Sequence, residues 1–361
     1  MKRLLALLVL TLAVAQPGCS KDDPTTPTTP LWVEETLPAL PANTALLSLD
    51  IDGALGVAAG GTLAPGVGGS FSPMLLMRDG GAWEIVPLTP PESGVLFTGV
   101  VLVNGAPVAV GAVVGDGGTR AILYDGRTES WVSFPALQEP NGLNAVAAGG
   151  GTVYAVGFGA SGLGVRSVNG GAWEVHTLGL NTPQEAGLSD IQYTGSGEFL
   201  ACGWNDAGPQ YRIVQRYQGG VWSALAGPSA LSSNADYNVV WGTSSASFSI
   251  GGAAPVGDGT NTQAFLSGFG NNDWFEVVLP EPERLQAIQD MVRVGSLGFL
   301  ACGETRATLL GPGETSLFQV EYEALGRAHA LAQGTGALYA CVSTDSGSGT
   351  FTPRILRRLL D

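Results

Sequence analysis

Apolar residues in this chain gather in short runs that stop at Gly, Asn, Asp or Ser, not in the stripes of an amphipathic helix. This pattern predicts many short β-strands joined by tight turns. One stretch shows the unit in full. Gly187–Tyr193 reads as a first strand, Gly195–Gly197 as a turn, Glu198–Gly203 as a second strand and Tyr211–Tyr217 as a third. Gln218–Gly220 then turns into a tryptophan-bearing fourth strand, Val221–Leu225. Alternation within the strands is only partial, as expected where sheets are covered on both sides.

The unit repeats. Trp83, Trp131, Trp173, Trp222 and Trp274 recur at intervals of roughly fifty residues, the period of propeller blades. A second-strand marker is kept better: Val57–Gly60, Val108–Gly111, Tyr154–Gly157, Leu200–Gly203, Phe248–Gly251, Leu300–Gly303 and Tyr339–Val342. Those copies predict an all-β fold, a seven-bladed β-propeller of four-stranded antiparallel blades over residues 31–361. Thr352–Asp361 reads as a third strand with no tryptophan strand after it. Leu31–Leu40, with its Trp-then-Leu spacing, is expected to complete the last blade and close the ring.

The first residues follow another logic. Lys2 and Arg3 precede an apolar run, Leu4 to Ala15, too short for a permanent membrane span, which predicts a signal peptide over 1–18. Gly18-Cys19, followed by a polar Pro/Thr-rich stretch over 19–30, resembles the lipobox and tether of bacterial lipoproteins. That resemblance implies diacylglycerol on Cys19, an anchor at the outer membrane or cell surface, and contact with the membrane through the lipid only. Gln16 departs from the aliphatic preference of the motif. Ala13-Val14-Ala15 also offers ordinary cleavage, which would leave a soluble periplasmic or secreted protein.

Segments such as Thr152–Ala160, Val165–Leu180 and Gly187–Tyr193 resemble the repeats of secreted bacterial propellers of the photosystem II stability-factor-like and sialidase types. The Asp-box of the sialidase type is approximated by Asp79, Gly80 and Trp83, with one residue too few. The resemblance implies a fold and not one activity. Sialidase-type catalysis would require an arginine cluster, and Arg120, Arg166, Arg212, Arg306 and Arg354 all fall near the start of a third strand. One arginine per blade fits structural contacts better than a single converging site.

Composition narrows the chemistry. The chain carries 54 Gly, 22 Pro and a net charge of −15. An acidic body repels phosphate backbones, so nucleic acid is excluded as a partner. Lys21 is the only lysine beyond the leader, which leaves no P-loop or Schiff-base lysine in the folded part. His176 and His329 stand in no metal-ligand spacing; His176 reads as a rim position and His329 as a structural histidine. Cys202, Cys302 and Cys341 share the marker position that other blades fill with Ala, Val or Ile, and read as buried, unpaired core residues.

The expected function is non-enzymatic binding or assembly at the cell envelope, as a monomer, with a protein or glycan partner. A carbohydrate-active hydrolase or lyase is the alternative. No cofactor or metal is expected, Ca²⁺ being a minor option at the Asp/Gly loops. The candidate surface is the face bearing the second-to-third-strand loops and the blade connections. It would carry Glu92, Asp116, Glu139, Glu185, Asp206, Asp236, Asp258, Glu281, Glu283 and Asp345 as a negative field.

Overall fold

The computed structural model describes residues 31–63, 70–115, 118–134, 142–160, 163–177, 185–205, 212–228, 235–256, 261–295, 297–303, 305–313, 318–345 and 351–360. Three four-stranded antiparallel meanders stand alone. The first is Thr44–Asp52, Leu55–Leu63, Phe71–Asp79 and Glu84–Ile85. The second is Val95–Val103, Ala106–Gly115, Gly118–Asp125 and Ser130–Ser133, and the third is Asp236–Ser244, Ser247–Val256, Asn261–Gly270 and Asp273–Glu276. Turn chemistry explains the joints: Gly53, Asn104, Gly105, Asn271 and Asn272 take positive φ, which Gly and Asn tolerate.

Two larger sheets consist of meanders that touch. Gly142–Gly149, Thr152–Ala160, Leu163–Val168 and Glu174–Thr177 form one. It is zipped to Glu185–Tyr193, Phe199–Asn205, Arg212–Gln218 and Val221–Leu225 where Phe158 faces Gly187 and Ala160 faces Glu185. The other joining runs through a single 17-residue strand, Phe318–Gly334. Its first half pairs with Arg306–Pro312, beyond which lie Leu297–Cys302 and Ile288–Val294, and its second half pairs with Ala337–Asp345. Gly326 lies at the switch with φ 135°, and a Cβ there would come within 1.8 Å of the Ser343 carbonyl oxygen. Only glycine fits.

Chain ends meet as anticipated, though over a shorter ladder. Val33–Glu34 pairs with Phe351–Leu359, Val33 facing Arg357 and Glu34 facing Leu356, and Glu35 N–H donates to the Ile355 carbonyl at 2.8 Å. The remainder of Leu31–Leu40 is not strand, because Pro38 and Pro41 restrict backbone conformation and lack an N–H to donate. Trp32 is buried with Leu338, Leu356 and Phe299, and its Nε1 donates to Glu321 at 3.0 Å.

The core is divided among the seams. Each apolar cluster mixes side chains from adjoining meanders, as where Leu46, Leu49 and Trp83 pack against Ala330, Tyr339 and Ile355. Cys202, Cys302 and Cys341 are buried and unpaired within these clusters. Tryptophans stitch the outer rim. Trp173 donates to Asp125 at 2.9 Å, Trp222 to the Tyr154 hydroxyl at 2.6 Å and Trp274 to the Ala226 carbonyl at 3.0 Å.

Candidate functional site

The first strand of every meander carries a β-bulge at the same place. Register shifts fall between Leu46 and Ser48, Phe97 and Gly99, Leu143 and Ala145, Leu188 and Asp190, Tyr237 and Val239, Ile288 and Asp290, and Ala328 and Ala330. A bulge leaves one residue without a ladder partner and re-aims its side chain. The extra residues are Leu47, Thr98, Asn144, Ser189, Asn238, Gln289 and His329, and all of them line one axial cavity of about 420 Å³. The bulge also explains the marker glycine. A Cβ on Gly60, Gly111, Gly157 or Gly203 would meet the carbonyl oxygen of Ala45, Leu96, Gly142 or Gly187 at 1.8–2.0 Å.

Two kinds of polar bond hold neighbouring inner strands together. In one, the bulge residue donates to the next strand: Thr98 Oγ1 to the Leu143 carbonyl at 2.5 Å, Asn144 Nδ2 to Leu188 at 2.9 Å, and Asn238 Nδ2 to Ile288 at 3.0 Å. In the other, the residue after the bulge accepts a backbone N–H. Ser48 takes it from Val100 at 3.0 Å, Asp190 from Val240 at 2.9 Å and Asp290 from Leu331 at 2.7 Å. Two residues further on, Asp50 and Gln192 accept from Leu102 at 2.7 Å and Gly242 at 2.6 Å.

Three carboxylates therefore stand on the cavity wall, and no lysine or arginine lines it among the described residues. All three residues are half-buried, and each carboxylate accepts a backbone N–H from a neighbouring inner strand. Burial raises the Asp50 pKa against two backbone N–H bonds that favour the anion. Burial likewise lifts Asp190 to about 6. Asp290 reaches about 8 because burial is reinforced by the Asp190 charge. His329 Nε2 lies 2.9 Å from Ser343 Oγ, and burial with Arg327 nearby lowers its pKa to about 4, so this ring is neutral at pH 7.

The cavity follows each inner strand from its bulge toward the first turn of the meander, reaching Tyr193 and Gln333 at the strand ends. Trp241 also lines it, with the Arg293 guanidinium 5.3 Å above the indole.

The predicted acidic face is placed only in part. Asp116, Glu139, Asp206 and Asp258 lie outside the described residues. Glu92 forms an ion pair with Arg120, and Glu281 pairs with Arg284 at 3.1 Å, which also holds Glu323 at 2.8 Å. Glu185, Asp236 and Asp345 are strand-end residues, not loop residues, because the ladders extend that far, and Glu283 sits in the helical turn Pro282–Leu285. Asp236 is exposed. The strand-start arginines are structural where described: Arg166 bonds Tyr217 Oη at 2.5 Å and approaches Glu174, Arg306 pairs with Glu323 at 3.1 Å, and Arg354 with Glu34 at 2.5 Å. His176 is not a bare rim position. It is half-buried and hydrogen-bonds the buried Tyr154 hydroxyl, and burial lowers its pKa. Cys19 lies outside the described residues.

The bulge ring and its carboxylates are absent from the sequence-based candidates. A signal was present in the triplets Phe97-Thr98-Gly99, Leu143-Asn144-Ala145, Leu188-Ser189-Asp190 and Ile288-Gln289-Asp290, each an apolar residue followed by a polar one that lies ten or eleven residues before the start of the marker.

No family model and no curated protein matches this chain. Solved structures do. YCF48 bound to a D1 peptide aligns with TM-score 0.55 at 16% identity, over 92% of this chain and 98% of that one. The extracellular domain of the putative one component system BT4673 from B. thetaiotaomicron aligns with TM-score 0.56 at 13% identity over 90% of this chain, which spans 39% of that one. A chain of a mitotic checkpoint complex gives TM-score 0.56 at 11% identity, over 100% of this chain and 99% of that one. At such identities the common feature is architecture: the chain folds as a β-propeller of the general kind found in all three.

Proposed function

We propose that this chain is a seven-bladed, monomeric, non-enzymatic binding propeller, exported and held at the cell envelope through lipid on Cys19, that receives a protein or glycan partner at its axial cavity. The cavity wall carries the reading. Strands from consecutive meanders supply it through the bulge residues Leu47 to His329, one from each of seven bulged strands, which supports the blade count. Its volume of about 420 Å³ falls in the range of small-ligand sites.

Binding is favoured over catalysis because the polar groups on the wall are committed to holding strands. Thr98, Asn144 and Asn238 spend a donor on a backbone carbonyl, and Asp190 and Asp290 each accept a backbone N–H from the next strand. Three of the arginines that sialidase-type chemistry would need, Arg120, Arg306 and Arg354, are tied to Glu residues away from the cavity wall. One structural neighbour is a propeller with a peptide bound, which makes a peptide segment a reasonable first partner to test.

Ser189→Trp would fill the cavity while leaving the strand-to-strand bonds in place. Purified wild type and this variant should be compared on arrays of peptides and of glycans. Binding by wild type that the variant loses is the expected result; equal binding by both would move the site off the axis.

A further inference from the structure

We propose that His176 is a pH-sensitive latch on the seam between the meander ending at Glu174–Thr177 and the one beginning at Glu185–Tyr193. While neutral, it accepts the Tyr154 hydroxyl hydrogen and holds the outer strand Glu174–Thr177 in place; protonated, it loses that bond and loosens the strand. Neither His176 nor Tyr154 lines the axial cavity, so the latch stands apart from the proposed binding site.

Counting hydrogens gives each bond its direction. An indole N–H only donates, and Trp222 Nε1 donates to Tyr154 Oη at 2.6 Å across the seam. The hydroxyl therefore turns its own hydrogen to the other polar neighbour of Oη, which is His176 Nδ1. Nδ1 is thus bare, and the ring hydrogen sits on Nε2. Tyr154 is fully buried and burial raises its pKa, so the phenol keeps its hydrogen across the physiological range. Edge-on packing fixes the imidazole, with ring centres 5.8 Å from Tyr154 and 5.7 Å from Tyr217. One chain of bonds ties Val221–Leu225 through Thr152–Ala160 to Glu174–Thr177.

A proton added at Nδ1 puts two hydrogens between Nδ1 and Oη. One must turn away, and among the described residues Oη has no third polar partner to receive it. The charges around the ring favour the neutral form. Arg166, on the neighbouring strand Leu163–Val168, bonds Tyr217 Oη through Nη1 at 2.5 Å and repels a second cation. Glu174, 3.8 Å from Arg166 and largely exposed, pulls weakly the other way. Tyr217 and Trp222 complete the cluster from the adjoining meander. Burial, then Arg166, lowers the His176 pKa, so the latch contributes above the ordinary histidine value of 6.5 and is lost as pH falls through the folded value. The strand it holds has little else to keep it. Glu174–Thr177 is the outermost strand, paired on one side only, over four residue pairs with Leu163–Arg166.

Amide hydrogen exchange of the purified protein at pH 7.5 and pH 5.0, expressed as protection factors, reads the latch directly. Protection over Glu174–Thr177 should fall at least tenfold at pH 5.0 in wild type, while Ala337–Asp345 in a distant meander stays level. His176→Gln keeps an acceptor for the Tyr154 hydroxyl but cannot titrate, so its protection should be the same at both pH values. No fall in wild type, or an equal fall in wild type and His176→Gln, overturns the proposal. Where His176→Gln fails to fold, nitrogen NMR of the His176 ring in wild type decides. A bare Nδ1 at pH 7.5 and a titration midpoint below 6.5 are expected; hydrogen on Nδ1 at pH 7.5, or a midpoint at or above 6.5, overturns it.

Discussion

The indole Nε1 of Trp173 donates to Asp125 Oδ2 at 2.9 Å, joining the residue that leads into the fourth strand of one meander to the end of the third strand of the meander before it. Arg127 completes the contact, gripping Asp125 through Nε and Nη2 at 2.8 and 2.7 Å with its guanidinium 5.6 Å from the centre of the Trp173 ring. At Trp173, Trp222 and Trp274 the tryptophan that recurs in sequence is therefore a staple between blades.

That staple has a pH signature. Burial opposes ionisation of Asp125, but the Arg127 and Trp173 hydrogen bonds outweigh it and lower its pKa. Its stabilising contribution is thus present above the ordinary aspartate range and lost as pH falls through the folded value. A double-mutant cycle with Asp125→Asn and Trp173→Phe should give a coupling of about 0.5–3 kcal/mol at pH 7. Urea unfolding at pH 7 and pH 2.5 measures it, and the coupling should shrink at the lower pH.

Asp290 behaves in the opposite sense. Its pKa of about 8 in the folded protein stands above the unfolded value of 3.8, so the folded state holds the proton more tightly. Stability from this group is full below pH 3.8 and declines as pH rises to about 8. Asp290→Asn should flatten the fall in unfolding midpoint between pH 5 and pH 9 relative to wild type. A parallel pair of curves would show that the carboxyl is not held protonated.

Ring closure depends on Trp32 more than on its short ladder. Its indole is buried and bonds Glu321, whose carboxylate also pairs with Arg358 at 2.8 Å. Trp32→Ala should cost about 3–5 kcal/mol, as large-to-small core changes do. Deleting residues 31–40 should expose the edge of Phe351–Leu359 and promote association, read by light scattering.

Marker glycines should resist the smallest substitution. Gly157→Ala would place a methyl group 1.8 Å from the Gly142 carbonyl oxygen, so the bulge or the ladder must shift. The expected loss exceeds the ~1 kcal/mol typical of a glycine replaced in an incompatible conformation. Thermal unfolding against Gly115→Ala, where nothing lies within 4 Å, provides the control.

Cys19 tests the proposed address. Intact-mass measurement of membrane-extracted protein should find the chain beginning at Cys19 with diacylglycerol attached. A chain starting at Gln16 with an unmodified thiol would mean secretion without an anchor.

Much of the fold was legible in local order. Strand, turn and marker repeat in sequence because each meander is built from residues close along the chain, and turn residues such as Asn104-Gly105 declare themselves through backbone preference alone. The partnership of Leu31–Leu40 with the C-terminal strand followed from counting strands, although its prolines limited the ladder to Val33–Glu34. Burial of Cys202, Cys302 and Cys341 followed from the company they keep at the marker.

The cavity was decided elsewhere. Asp190 is an ordinary residue of Gly187–Tyr193 until the ring sets Val240 N–H beside it, 50 residues away, and Asp290 acquires its raised pKa from burial in the ring, reinforced by Asp190, 100 residues away. The marker glycine was visible as a pattern, but its cause, a carbonyl pressed against it by a bulge, exists only once two strands are paired. Hydrophobic period and turn preference are properties of neighbours in sequence, and they determined the blades. Charge burial and hydrogen-bond partnership are properties of neighbours in space, and closure of the ring decided those.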